Sequence, residues 1–324
     1  MFSKEHKKQS LTNKILEVSS MLLFVFLIRT FIFGLYQVPT GSMETTMLVG
    51  ERFLADKLTY WFRKPQRGEI IAMNAPIGFE YSKNSWVRLF QEYVWGPSNW
   101  TKRVIAVPGD TISGVIEDGK AVIYLNGQKL DEPYLNQYPL IPILKVDPMY
   151  LQKEIDREFG DFLRNKMVDQ KIIEHVIWER MAQHATHVSY DPNAPFLEQP
   201  FYRIVENRVI RAENGEIEVL WPGVGRLGRY KLGVPLDRKR YWDKSDQFYV
   251  QLAEDEYWCM GDNREGSQDC RYFGPVKGSS IHARLLLRIW SHDSFESWWI
   301  VDLLKHPIDF WMRMRWGRFF QWIY

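Results

Sequence analysis

The 324-residue chain is poor in cysteine, with two in all and no Cys pair at zinc-ligand spacing. That excludes a zinc-stapled fold and a disulfide-dense scaffold. A P-loop, a Rossmann glycine fingerprint and a tandem repeat of the usual periods are also missing. With 42 Lys and Arg against 40 Asp and Glu, the net charge of +2 supplies no dominant positive field. A nucleic-acid partner is therefore not expected. The seven histidines, His6, His175, His184, His187, His282, His292 and His306, sit in no compact motif with Ser, Cys or Asp. His184-x-x-His187 lacks a third ligand at convincing spacing, so neither a metal nor another cofactor is expected. Aromatic residues, in contrast, are abundant, at 15% with 14 Trp.

One long apolar stretch stands out, "EVSSMLLFVFLIRTFIFGLY", with about the 20 residues that a bilayer-crossing helix needs. Its single charge, Arg29, lies near one end, from which a long side chain snorkels to the interface. A cleaved signal peptide is the competing reading, but no small-x-small site follows among Phe33, Gly34, Leu35 and Tyr36. We expect a retained anchor over residues 16–36. Lys4, Lys7, Lys8 and Lys14 precede it, whereas Gln37 to Glu51 holds no Lys or Arg. The positive-inside rule then leaves residues 1–15 in the cytoplasm and the rest outside. Cys259 and Cys270 would lie in an oxidising compartment, where a disulfide and two buried thiols are both open readings.

Beyond the anchor, short apolar runs such as "ERFLADKLTY", "GEIIAMNAP", "TKRVIAVPGDTISGV" and "AVIYLNGQKL" alternate with turn signals, Asn126-Gly127 foremost. The pattern resumes at "QFYVQLAEDEYWCMGDN" and "ARLLLRIW". Between them, residues 141–246 are charged and helix-periodic after Pro148, then rich in Pro and Gly. The expected fold is therefore mainly β: a membrane-anchored, β-barrel-like catalytic domain from 37–140 and 247–292, with a partly helical insertion at 141–246. The tail, 293–324, mixes Trp298, Trp299, Trp311, Trp316, Phe319, Phe320 and Trp322 with Arg313, Arg315 and Arg318. Because Arg interrupts every apolar run, a membrane-interfacial segment is expected, with a helix packed on the β domain as the alternative.

Ser42 in "VPTGSMETTML" emerges where the chain leaves the membrane. A serine nucleophile needs a base and an oxyanion donor. With no histidine placed for the task, a lysine is the alternative, provided that its pKa falls by about 3 units, which burial achieves. Lys102 in "NWTKRVIAVPGD" sits in an apolar strand, although a lysine reaching solvent from a strand edge has the same local appearance.

"PTGSM", "RGEI", "KRVIAVPGD" and "MGDNREGSQDCRYFG", in this order behind an anchor, resemble the successive boxes of type I signal peptidases. Those membrane-bound Ser-Lys endopeptidases remove signal sequences from exported preproteins. The resemblance covers the anchor and residues 37–131 and 255–290, not the insertion or tail. It implies Ser42 as nucleophile and Lys102 as general base, with the Thr40 hydroxyl and Ser42 N–H as oxyanion donors. Ser267 would orient the lysine, Gly261 would let backbone approach it, and Asp269, Arg271 and Arg103 would brace the loop. Gln37, Val38, Pro39, Met43, Trp100 and Thr101 would line shallow pockets for small side chains at substrate positions −1 and −3, with Ala-x-Ala preferred. Implied partners are preprotein signal peptides, membrane lipid and the secretion translocon. The implied location is the outer face of the inner membrane. Thr45 departs from the family's usual Pro, and Gly266 and Cys270 stand where Asn and Ser are common. Thr45 and the insertion also suit a specialised relative that cuts a few pilus or secretion-system precursors. An inactive preprotein-binding scaffold would not need the intact Thr40, Ser42, Lys102 and Ser267.

Overall fold

The computed structural model describes residues 11–77, 82–93, 99–144, 153, 157–158, 185–195, 198–204, 209–211, 217–221, 230–234, 245–294, 296 and 298–323. Helix α1, Leu11–Leu27, continues into a π turn at Ile28–Ile32. The resulting span Thr12–Ile32 has 21 residues, a mean hydropathy of 2.1 and no buried portion, which is long and apolar enough to cross a bilayer. It ends earlier than expected, because Phe33–Gln37 form strand β1 instead of a last helical turn. No linker separates helix from sheet.

The main sheet is then laid down in pieces. β2 (Arg52–Asp56), β3 (Ile70–Asn74) and β4 (Asn99–Ala106) precede a hairpin of β5 (Thr111–Glu117) and β6 (Lys120–Leu125), extended by β7 (Gln128–Lys129). Asn126 and Gly127 make the two-residue turn between β6 and β7 with φ of 51° and 80°, a conformation this pair tolerates best. In the inserted region β8 (Leu140–Leu144) pairs with β9 (Ala185–Ser189). β10 (Val209–Arg211), β11 (Ile217–Trp221) and β12 (Tyr230–Val234) form a separate antiparallel sheet. The described part of the insertion is thus mostly strand. Residues 153, 157 and 158 are helical, and the rest of the expected helical stretch lies outside the described residues. The chain returns through β13 (Phe248–Gln251), β14 (Glu256–Met260), β15 (Val276–Lys277) and the long β16 (Ile281–Trp290), and closes with β17 (Gln321–Trp322).

The main order is β1-β2-β16-β3-β4-β14-β15, with β17 on β16, while β13-β5-β6-β7 form a second sheet. The fold is mainly β as expected, but the barrel is not closed: β1 and the two-residue β15 end the sheet unpaired with each other. Successive side chains of β3 enter opposite cores. Ile70 and Ala72 pack with Val38, Met43, Phe53 and Leu285, whereas Ile71 and Met73 pack with Val104, Ile112, Trp258 and Met260. Burial on both faces is what allows a central strand such as β4 to carry a desolvated polar group.

The tail docks on this body. Its Arg residues face inward, contrary to the reasoning from sequence: Arg313 pairs with Asp302 and Asp309, Arg315 with Asp293, and Arg318 with buried Glu51. Trp298, Trp311, Trp316, Phe320 and Trp322 are left on the surface. Cys259 and Cys270 are both free and buried, which corrects the disulfide reading. The Cys259 N–H donates to Cys270 Sγ at 3.1 Å.

Candidate active site

β4 places two cations side by side, pointing to opposite faces. Lys102 lies opposite Ile71 of β3 and shares its apolar face, whereas Arg103 lies opposite Ile70. The chain leaving β1 reaches Lys102 through a 3-10 turn at Gly41–Met43, entered by an extended Thr40. Lys102 Nζ is 3.0 Å from Ser42 Oγ, and both side chains are buried. Burial lowers the lysine from 10.5 to about 8, and the nearby Asp269 charge opposes the shift only in part. At neutral pH about a tenth of such a group is unprotonated, against about one in three thousand for an exposed lysine. Thr40 Oγ1 stands 3.5 Å from Ser42 Oγ, near enough to serve an oxyanion formed beside it.

The loop after β14 packs behind this pair. A Cβ built on Gly261 would lie 2.3 Å from Ser267 Oγ and 2.4 Å from Ser42 O, so the missing side chain makes room for the two serines. Ser267 also differs from expectation: its hydroxyl donates to Asp269 Oδ2 at 2.8 Å. Among the described residues the hydrogen bond of Lys102 goes to Ser42. Burial raises the Asp269 carboxyl, but hydrogen bonds from Arg271, Gly261 N and Ser267 outweigh it and hold the group below its usual range. Arg271 bridges Asp269 and Asp246.

Arg103 belongs to a different pair. Its Nε and Nη2 reach Asp262 at 2.8 and 2.7 Å, with Thr46 Oγ1 donating to the same carboxylate at 2.6 Å. Asp262 and its neighbour Asn263 are the main omissions from the expected set. Asn263 N donates to Ser42 O at 3.1 Å, and its Nδ2 to Gly41 O at 2.9 Å, so one residue fixes both carbonyls around the nucleophile. Both sit in the "GDN" box, where their polarity next to an apolar strand was a usable signal.

A cleft of about 470 Å³ opens over the dyad, lined by Val38, Pro39, Thr40, Met43, Trp100 and Thr101 among others. Asn99, Gly266 and Gln268 also line it, unforeseen from sequence, whereas Gln37 lies in an adjoining cavity that shares Val38 and Pro39. β14 pairs with β4 only from Arg103 to Ala106, so the β14-side edge of Asn99–Lys102 is unpaired among the described residues.

A buried Ser-Lys pair with a hydroxyl donor, beside an open strand edge, is the equipment of a serine endopeptidase. The sequence profile described as "Signal peptidase, peptidase S26" matches residues 11–177 and 223–290, most of the chain. The chain belongs to this signal peptidase family. It is 24% identical over 286 residues to the signal peptidase I of Aquifex aeolicus (strain VF5), covering 86% of this chain and 84% of that one. Signal peptidase I of Buchnera aphidicola subsp. Acyrthosiphon pisum (strain APS) is also 24% identical, over 86% of this chain and 75% of its own. The probable signal peptidase I-2 of Synechocystis sp. (strain ATCC 27184 / PCC 6803 / Kazusa) reaches 33%, but over 38% of this chain and 51% of that protein. Membership makes the chain a hydrolase, and the family's substrates are the signal peptides of preproteins.

Proposed function

We propose that this signal peptidase family member cuts N-terminal signal peptides from exported preproteins with a Ser42–Lys102 dyad. The 3.0 Å contact between a buried lysine and a buried serine carries the reading. The preprotein adds as an extended strand along Asn99–Lys102 and Val38–Thr40, its backbone supplying affinity and the cleft selecting small side chains at −1 and −3. Neutral Lys102 takes the Ser42 proton as Oγ attacks the carbonyl after the −1 residue. Thr40 Oγ1 and the Ser42 N–H hold the oxyanion. Lys102 then gives its proton to the leaving amine, and afterwards activates the water that hydrolyses the acyl-enzyme.

The membrane location rests on the junction between helix and sheet. Lys57 N donates to Ile32 O at 2.9 Å, and its Nζ to the carbonyls of Arg29 and Thr30 at 3.2 Å, fixing the end of the helix to the residue that follows β2. Leu35, Leu54, Leu287 and Trp322 stand opposite one another across four strands and so share a face. Leu35 and Trp322 are exposed there, as are Trp61 and Phe62 near the helix end. A lipid surface covers such a row at the depth where α1 emerges. By charge, residues 1–15 stay in the cytoplasm, so the catalytic part faces the outer side of the inner membrane, in reach of a translocon. The test is cleavage of a preprotein with an Ala-x-Ala site in detergent, followed by sequencing of the new N-terminus. The wild type should cut once, after the −1 Ala, and Ser42→Ala and Lys102→Ala should each lose at least about a thousandfold. An intact preprotein would refute the substrate class, and full activity in either variant would refute the dyad.

A further inference from the structure

Two residues past the nucleophile, Glu44 is fully buried, with an exposure of 0%. Its carboxylate reaches into the inserted region. Ser189, the last residue of β9, donates to Glu44 Oε2 through both N at 2.8 Å and Oγ at 2.5 Å. The Tyr202 hydroxyl donates to Oε1 and accepts from Val49 N at 3.0 Å, so one phenol touches both ends of the nucleophile loop. The Arg315 guanidinium stacks over the Tyr202 ring at 4.8 Å. Glu44 also presses on the nucleophile turn itself: a Cβ on Gly41 would come within 2.8 Å of its Oε1. A second path converges on the same turn. Asn136 Nδ2 donates to Ser189 Oγ at 2.9 Å and to Asn263 Oδ1 at 3.3 Å, and Asn263 in turn holds Gly41 O and Ser42 O.

A buried carboxyl group is tolerated only when its oxygens are hydrogen-bonded with good geometry. Burial pushes the Glu44 carboxyl above its usual range, against the hydrogen bonds from Ser189 and Tyr202. Among the described residues, the hydrogen bonds to the Glu44 carboxylate come from Ser189 and Tyr202 of the insertion, not from the main sheet. We propose that the insertion is part of the catalytic unit: Ser189 and Tyr202 clamp the Glu44 carboxylate and thereby hold the turn carrying Ser42 at reacting distance from Lys102. Glu44, Ser189 and Tyr202 are positioning residues, since none of them lines the cleft over the dyad. The inference rests on the peptidase reading for its kinetic readout, but loop order can be read without any substrate.

The experiment compares the full-length wild type with Tyr202→Phe, Ser189→Ala, Ser189→Thr and Glu44→Gln. Two quantities are measured: preprotein cleavage, and amide hydrogen exchange across Gly41–Val49. Tyr202→Phe and Ser189→Ala should each lower kcat about tenfold with KM within about twofold, and the pair should be less than additive. Ser189→Thr should restore the rate, and Glu44→Gln should lose about a hundredfold. Exchange at Met47 and Val49 should rise in the three impaired variants, while that of β4 and β14 stays as in wild type. Unchanged kcat and unchanged loop exchange in Tyr202→Phe and Ser189→Ala would overturn the clamp. So would a loss shared evenly by all strands, which marks general destabilisation. If the wild type exchanges as expected but leaves preproteins intact, the substrate reading fails and the clamp is judged on exchange alone.

Discussion

Gly261→Ala is a one-carbon change outside the catalytic pair that should displace it. The added Cβ would meet Ser267 Oγ at 2.3 Å, Ser42 O at 2.4 Å and Ser267 Cβ at 2.5 Å. The Ser267 hydroxyl can rotate, but Ser42 O is backbone and accepts from Asn263 N. Relief to an ordinary contact requires Ser42 to retreat by about 1 Å, a displacement of the size that costs about a hundredfold when it separates reacting groups. It would stretch the 3.0 Å Lys102–Ser42 contact beyond hydrogen-bond range. Overpacking of this kind also costs about 1–3 kcal/mol of stability. The assay is kcat and KM on a preprotein, with the unfolding midpoint measured on the same sample. We expect kcat down about a hundredfold, KM little changed and the midpoint lowered. Wild-type kcat in a folded Gly261→Ala protein would refute the claim that backbone contact at this glycine sets the geometry of the dyad.

Lys102→Met should abolish cleavage yet stabilise the fold. The folded pKa of about 8 lies below 10.5, so the unfolded chain binds more protons between those values and wild-type stability rises with pH through that window. At neutral pH the methionine variant removes a penalty of about 3 kcal/mol and this pH dependence, both visible in denaturant titrations at two pH values. Asp262→Ala leaves buried Arg103 without its carboxylate and should cost about 3–5 kcal/mol by the same titrations; an unchanged midpoint would contradict the pairing. Cys259 and Cys270 should resist a thiol reagent in the native protein and both react in denaturant without reductant; failure to react would mean that they are bonded.

Local chemistry made Lys102, in an apolar strand, and Ser42, after the anchor, candidates only; the resemblance of the four ordered motifs to signal peptidase boxes is what assigned their roles. Asn126-Gly127, in contrast, marked its hairpin by local turn chemistry alone. What was not readable depends on contacts between distant parts of the chain. Arg103 was grouped with Asp269, but its carboxylate partner is Asp262, and the Glu44 carboxylate is met by Ser189, 145 residues away. The tail misled in the opposite sense. Arg313, Arg315 and Arg318 looked like lipid-facing charges, but their carboxylates come from Asp302, Asp293 and Glu51, and Trp298, Trp311, Trp316, Phe320 and Trp322 turn outward instead.

The central claim, that a desolvated lysine is the base for Ser42, is tested most directly by kcat/KM for preprotein cleavage from about pH 5 to about pH 10. The rate should climb tenfold per pH unit and level off above an apparent pKa of about 8, the value that burial gives Lys102. A limb near 6.5, the ordinary histidine value, or one near 10.4, the value of an exposed lysine, would contradict it.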